Sequence, residues 1–341
     1  MASNDSFQVS LQPSGHRFSA STNASLLQAA LDAGFTLPYG CRNGACGSCK
    51  GRVLSGEIEH GAAQDSALSE AERAAGMALL CCASARSDLT LECREVGAAR
   101  DIPIRILPCR VQQMERVAED VMILTLKLPA NERLQFLAGQ YIEILLKDGQ
   151  RRAFSLANAP HDDSAVQLHI RHIEGGIFTG HVFGTMKEKD ILRFQGPYGS
   201  FFLREESTKP ILLVAGGTGF APIKALLEHA FHSGSRRTMS FYWGARTRAG
   251  LYHHELVQRW ADTQPGFSYV PVLSEPAAID GWNGRTGLVH DAVLGDHRDL
   301  SAYQVYVCGA PAMVDAARVD FARAGLPDEE FFADAFSFAG Q

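Results

Sequence analysis

The spacing of apolar positions changes character twice along the chain. Up to Val96, short alternating runs (FQVSLQ at Phe7–Gln12, RFSA at Arg17–Ala20, LTLECREV at Leu89–Val96) surround one stretch with helical spacing, SLLQAALDAGF at Ser25–Phe35. Period-2 runs with one amphipathic helix predict a small α+β unit over residues 1–97. GAARDIP follows, small and polar and closing on proline, which is linker chemistry; we place the linker at 98–103. From 104 to 206 the runs VMILTLKL, QYIEILL, AVQLHIRHI and DILRFQG alternate between Gly and Asn turns, predicting an antiparallel β-barrel. From 207 to 341 strand and helix patterns take turns: PILLVAG then FAPIKALLEHAFHSG, MSFYWGA then HHELVQRWADT, FSYVPVLS, and YQVYVCGA then PAMVDAARVDFARAG. Apolar runs separated by amphipathic helices imply an α/β domain with a parallel sheet.

Composition narrows the function classes. A length of 341 residues exceeds what one core usually spans, and 46% hydrophobic with 21% charged residues is the mix of a soluble globular chain. The net charge of −6 is spread without single-sign runs, which argues against nucleic acid as a partner. The start MASNDSFQVSLQPSG lacks a signal-peptide pattern, and no apolar run reaches the length of a membrane span. The cytoplasm is the expected compartment. Thiols stay reduced there, so the eight cysteines are not read as a disulfide framework, and clustered ones point to metal or redox chemistry.

Three cysteines crowd into CRNGACGSCK. Cys41, Cys46 and Cys49 stand at C-x4-C-x2-C, a spacing used to hold a [2Fe-2S] cluster with a fourth, more distant thiol. Gly44 and Gly47, with Ala45 and Ser48, let the backbone wrap closely enough for amides to point at sulfur. The fourth ligand comes from GMALLCCASARSDLTLE, as Cys81 or Cys82. Structural zinc is the competing use of such thiols, but zinc sites carry paired C-x2-C knuckles or Cys/His pairs, and this loop has one x2 pair and no neighbouring histidine. Cys93 and Cys109 read as small buried hydrophobes.

Three further segments suit a flavin and a dinucleotide. In QRRAFSLANAP, Arg152 suits a pyrophosphate, Phe154 a planar ring and Ser155 a ring-edge nitrogen. In HIRHIEGGIFTGHVF, Gly175 and Gly176 precede Thr179 at a helix start where amides can hold phosphate. In LLVAGGTGFAPIKALLEHA, Gly216, Gly217 and Gly219 flank Thr218 between strand and helix, with Pro222 tolerated in the first turn. The pattern is not G-x-G-x-x-G. YWGARTRAGLY would meet the adenosine ribose and offers Arg246 and Arg248 but no carboxylate, so both NADH and NADPH stay open. Cys308 and Gly309, in VYVCGAPAMV, end a strand facing the same crevice; Cys308 is either a soft side chain beside a nicotinamide or a core cysteine.

Together these residues resemble one known arrangement. CRNGACGSC resembles the plant-type ferredoxin domain, RAFSLAN the flavin-binding stretch of the ferredoxin-NADP reductase family, and GGTGFAPIKA with VCGAPAM that family's nicotinamide domain. The order is similar to the reductase components of multicomponent oxygenases. It is closer still to reductases of the CDP-6-deoxy-Δ3,4-glucoseen type, in ILPCRV, FLAGQYIEI, RRAFSLANAP, GPYGSFFLRE and FFADAF. The resemblance implies a β-grasp ferredoxin domain ahead of the barrel and the α/β domain. Plant-type ferredoxins carry a similar C-x-A-x-x-x-S-D stretch, and matching its aspartate to Asp88 selects Cys81 as the fourth ligand, leaving Cys82 pointing elsewhere. It also implies FAD held by Arg152, Phe154, Ser155 and His169, with Ser155 near the flavin N5, and with Gly175, Gly176 and Thr179 at its phosphates. NADH or NADPH would lie against the Gly216–Gly219 turn, Cys308 and Gly309, making Ser155 and Cys308 the catalytic pair. Phe154 stands where the family often has tyrosine, keeping the ring and losing a hydroxyl. The tail FFADAFSFAGQ replaces a terminal tyrosine, so Phe336 or Phe338 would cover the flavin. The implied activity is an electron-transfer reductase running from NAD(P)H through FAD and [2Fe-2S] to an electron-accepting protein, a dehydratase or an oxygenase component, with the reductase monomeric. An NAD(P)H oxidase using oxygen as acceptor, or a regulatory module whose cluster does not turn over, is the alternative.

Overall fold

The computed structural model describes residues 6–97 and 102–336; the linker positions 98–101 and Phe338 lie outside them. The chain divides into two compact units, the first running to Ile102 and taking in residues 334–336 as well, the second spanning Pro103–Ala333.

In the first unit, β1 (Ser6–Gln12) and β2 (Arg17–Ser21) form an antiparallel hairpin, and α1 (Leu26–Asp32) follows. Alternation sends Val9, Leu11, Phe18 and Ala20 inward. The hydroxyl of Ser25 accepts from the Gln28 amide at 3.2 Å and caps α1, which buries Leu26, Leu27, Ala29 and Ala30. Residues 33–49 then run without helix or strand to β3 (Lys50–Ser55), β4 (Ile58–Glu59), α2 (Glu70–Ala74), β5 (Met77–Leu79), β6 (Ser84–Ala85) and β7 (Leu89–Glu92). The five-stranded sheet runs β2-β1-β7-β3-β5, with β1 parallel to β7 and the other pairs antiparallel; β4 and β6 pair apart from it. Asp88, the aspartate of the S-D match, accepts the Gln8 amide at 2.9 Å and ties the start of β7 to β1.

The second unit begins with β8 (Arg105–Ala118), β9 (Val121–Lys127), β10 (Tyr141–Leu145), β11 (Arg151–Ser155), β12 (Val166–Arg171), α3 (Ile177–Gly184) and β13 (Ile191–Tyr198). All pairs in the sheet β11-β10-β13-β8-β9-β12 are antiparallel, and its end strands meet only at the bridge Leu156–Leu168, so continuous pairing does not close it into a barrel. Its inner face is apolar: Val111, Leu124, Ile142, Ile144, Leu168 and Phe194 are fully buried, and Cys109 is among them as a small hydrophobe.

The remaining elements are β14 (Ile211–Gly216), α4 (Phe220–His232), β15 (Met239–Ala245), α5 (His254–Thr263), β16 (Phe267–Leu273), β17 (Arg285–Thr286), α6 (Val289–Asp296), β18 (Gln304–Gly309), α7 (Pro311–Arg323) and β19 (Phe331–Ala335). They build a sheet ordered β17-β16-β15-β14-β18-β19, parallel from β17 to β18. From β14 the chain steps outward to β15 and β16, then returns to lay β18 on the other side. The strand order therefore reverses between β14 and β18, and ligands of open α/β sheets bind beyond the strand ends at such a point. Among the described residues no helix is long and apolar enough to cross a membrane.

Candidate functional site

The cysteine loop is shaped by backbone positions that side chains disfavour. Gly44 and Gly47 have φ of 80° and 71°, and a Cβ on Gly44 would lie 2.8 Å from both the Ala62 carbonyl and the Cys82 sulfur. Cys46 and Cys49 are buried; Cys41 and Cys81 are half-buried. The Cys41 amide donates to Cys46 Sγ at 3.4 Å. The Cys41 thiol also hydrogen-bonds to Cys46, which holds the Cys46 thiol down at about 5 against its burial and pushes Cys41 up. Cys81 is raised to about 12, first by its hydrogen bond to Cys49. The four thiols thus meet as two pairs, 41 with 46 and 49 with 81. Among the described residues the only set of three ligand atoms within 4.8 Å of one another lies elsewhere, between α6 and α7. A single tetrahedral zinc would gather all four sulfurs around one point, whereas two irons take them two by two. The donor set fits a [2Fe-2S] cluster.

Cys82 does not turn away as the ferredoxin match implied. Its sulfur lies 3.6 Å from Cys81 Sγ, on the side of Gly44. Neighbouring side chains on irregular backbone need not point to opposite faces, so the i, i+1 spacing gave no warning. Cys93 is buried, as its reading as a small hydrophobe requires.

The flavin-type residues line the second unit. On β11, alternation puts Arg152 and Phe154 on one face and Ser155 on the other. Arg152 is half-buried and donates to the Arg151 carbonyl and to Gln150, and the Phe154 ring sits 5.2 Å from Phe178. Ser155 is buried and stands opposite Tyr141 of β10. Gly175, at φ 71°, turns the chain into α3, whose N-cap is Gly176 with no side-chain cap. Thr179 Oγ1 closes that turn on Ile173 at 3.2 Å.

His169 is 5% exposed, and its Nδ1 pairs with the Tyr252 hydroxyl at 2.8 Å while Nε2 has no partner. Burial first, then the Lys224 and His253 charges, holds this imidazole well below its usual value, so it is neutral. Tyr252 was not singled out by sequence; LYHHEL carries no recognisable spacing, and only the fold brings it to His169. The same is true of Phe220 and Trp243, stacked at 4.1 Å beneath it.

At the switch point the glycine turn presses on β18. A Cβ on Gly219 would stand 2.1 Å from the Cys308 carbonyl oxygen, and Trp243 Nε1 donates to the Gly217 carbonyl at 2.9 Å. Gly217 has φ 54°, and a Cβ there would meet the Arg171 guanidinium at 3.0 Å; one on Gly216 would meet Met313 Sδ at 2.7 Å. Thr218 is buried, Cys308 fully so, and Gly309 follows it at the strand end. The structure therefore brings Gly216–Gly219, Cys308 and Gly309 together, a glycine cradle at a strand-to-helix turn that suits a dinucleotide. At the end of β15 the arginine is not alone: Arg246 pairs with Glu275 at 3.0 Å, a carboxylate supplied by the segment after β16. Phe336, the last described residue, follows β19 and is half-buried.

Known proteins match along the whole length. The family description "2Fe-2S iron-sulfur cluster binding domain" matches residues 9–86, "Oxidoreductase FAD-binding domain" 108–203 and "Oxidoreductase NAD-binding domain" 213–319. The CDP-6-deoxy-L-threo-D-glycero-4-hexulose-3-dehydrase reductase of Yersinia pseudotuberculosis is 41% identical over 331 residues, 97% of this chain and 98% of that protein. Reductase component 1 of the terephthalate 1,2-dioxygenase of a Comamonas species is 35% identical over 332 residues, 97% of each chain. The crystal structure of the Amycolatopsis cytochrome P450 reductase GcoB is 34% identical, with a TM-score of 0.79 over 98% of this chain and all of that one.

Proposed function

Because the chain belongs to the iron-sulfur flavoprotein reductases, in which a ferredoxin domain precedes FAD- and NAD-binding domains, we propose that its electron acceptor is a dehydratase working on a CDP-linked hexulose. The chain is an NAD(P)H-dependent oxidoreductase of the electron-transfer kind. FAD, when bound, takes the two electrons of a hydride, and the [2Fe-2S] cluster hands electrons on singly. The protein supplies placement. Cys41 with Cys46 and Cys49 with Cys81 hold the irons, and the tight loop at Gly44 keeps bulk away from the sulfurs.

Arg152 and the open start of α3 after Gly175 and Gly176 take the flavin pyrophosphate, with Thr179 fixing that turn. Phe154 supplies an aromatic face and Ser155 a hydroxyl toward N5; His169 Nε2, buried and unpaired, offers a neutral nitrogen. Gly216–Gly219, Cys308 and Gly309 receive the nicotinamide dinucleotide. We read the antiparallel sheet as a barrel-type flavin domain of 104–206 between a β-grasp domain of 1–97 and an α/β domain of 207–341. The reductase acts as a cytoplasmic monomer.

What carries the choice of acceptor is the 41% identity to the Yersinia dehydrase reductase over nearly the full length of both chains, against 35% for the terephthalate reductase. An oxygenase component is the second reading, favoured by the GcoB likeness at a TM-score of 0.79. Incubating the NADH-reduced protein with a purified CDP-hexulose dehydratase and its substrate should yield deoxygenated sugar in step with NADH consumption. Turnover with a Rieske oxygenase and none with the dehydratase would reverse the assignment.

A further inference from the structure

We propose a divalent transition-metal site, independent of the redox cofactors, formed by His290, Asp291 and Asp320 where the start of α6 packs on the end of α7. His290 is 6% exposed, and its Nε2 points at two carboxylate oxygens, Asp291 Oδ1 and Asp320 Oδ2, each 3.7 Å away. That distance is too long for a hydrogen bond. It is close to the separation of neighbouring ligands around one metal: bonds of about 2.0–2.1 Å in a tetrahedral site put ligand atoms roughly 3.3–3.4 Å apart, so the donors need close in by only about 0.3 Å. The three donor atoms all lie within 4.8 Å of one another.

The second observation is the hydrogen-bond accounting of the imidazole. Nδ1 is buried with no partner, and Nε2 has no acceptor within hydrogen-bond reach. A metal ion on Nε2 would give this buried ring a partner at the nitrogen that faces both carboxylates. Two carboxylates facing one buried ring nitrogen make the mixed nitrogen and oxygen donor set that a divalent cation takes. Asp320 is already oriented for this, since Arg323 Nη1 holds its Oδ1 at 3.1 Å and leaves Oδ2 facing His290. Asp291 is exposed and gives the ion an entry path from solvent, where water completes the coordination. One imidazole and two carboxylates suit zinc or cobalt better than a thiophilic ion. Such an ion would staple α6 to α7 in the nicotinamide domain.

The holoprotein, with its cluster and flavin loaded, is dialysed against a mild chelator and titrated with Co2+ and Zn2+ by calorimetry and visible spectroscopy. The expected result is one further equivalent per chain, with cobalt d–d bands and no thiolate charge-transfer band, and a rise in Tm with metal. In Asp320→Asn the affinity should fall on the order of tenfold or more. His290→Leu should abolish binding without lowering the Tm of the metal-free protein, because it removes an imidazole that makes no hydrogen bond. No added equivalent in the wild type, binding that survives both substitutions, or a thiolate band would overturn the site.

Discussion

Gly219→Ala tests whether the glycine turn at the sheet's switch point is the nicotinamide cradle. An added Cβ would stand 2.1 Å from the Cys308 carbonyl oxygen, 2.6 Å from its carbon and 3.1 Å from the Gly309 nitrogen. All three are backbone atoms of β18, and Cys308 is held in register with Ala215 of β14, so no flexible side chain can swing aside. Carbon–oxygen contacts settle at about 3.3 Å, so the turn must retreat by roughly 1 Å. Overpacking of this kind costs about 1–3 kcal/mol of stability, and a misplacement of about 1 Å at a reacting pair costs on the order of 100-fold in rate. We expect stopped-flow bleaching of the flavin by NADH to slow by about 100-fold, while flavin content, cluster absorbance and reduction by dithionite stay at wild-type levels. Gly295→Ala in α6, where the nearest atom lies 4.0 Å away, is the control and should leave the rate unchanged. A folded Gly219→Ala protein that bleaches within twofold of wild type would refute the cradle.

Three other outcomes follow from the site. Cys49→Ser or Cys81→Ser should lose the cluster's visible absorption, and Cys82→Ser should keep it, since Cys81 is the thiol that hydrogen-bonds to Cys49 and Cys82 touches only Cys81; loss in the Cys82 variant would assign the ligand differently. His169 is neutral in the fold because burial, then Lys224 and His253, depress its proton affinity. The unfolded chain therefore binds that proton first, so stability is constant above the free-imidazole value of about 6.5 and falls as pH drops below it, by at most about 1.4 kcal/mol per pH unit from this group. Urea midpoints between about pH 7.5 and 5.5 should decline less steeply in His169→Leu than in the wild type. Glu275→Gln should release Arg246 from its 3.0 Å pair and raise the NADPH-to-NADH ratio of kcat/KM by roughly tenfold; an unchanged ratio would place the ribose elsewhere.

What the sequence disclosed was the part written in local spacing. The runs VMILTLKL, QYIEILL and MSFYWGA are β9, β10 and β15, and FAPIKALLEHAFHSG is α4, because burial on one face imposes a period that survives in the residues. Strand β8 was not marked. Its burial alternates in Leu107–Val111, but Ile106 is nearly half exposed and Gln112 to Arg116 are polar apart from Met114, so the apolar rhythm fades along it. Helix α6 escaped too, as VHDAVLGD between glycines is too short to establish a helical period.

The three ligand cysteines of the loop were legible because one tight turn fixes them together. The fourth needed a likeness to ferredoxins, and the nearness of Cys82 to it depends on irregular backbone that no spacing encodes. Pairings across long separations were invisible for the same reason: Tyr252 with His169, and Glu275 with Arg246, meet only through tertiary packing. The barrel expectation followed from four alternating runs, yet closure depends on how the end strands meet, and here that is the single bridge Leu156–Leu168.

The most direct test of a flavin and an iron pair working in one chain is an anaerobic titration with NADH and then dithionite, followed by visible absorption and EPR. Uptake of about three electrons per chain, two by flavin and one by a [2Fe-2S] centre whose reduced signal appears, is the predicted result. Uptake of only about two, with no EPR signal and zinc found at the cysteines, would contradict it.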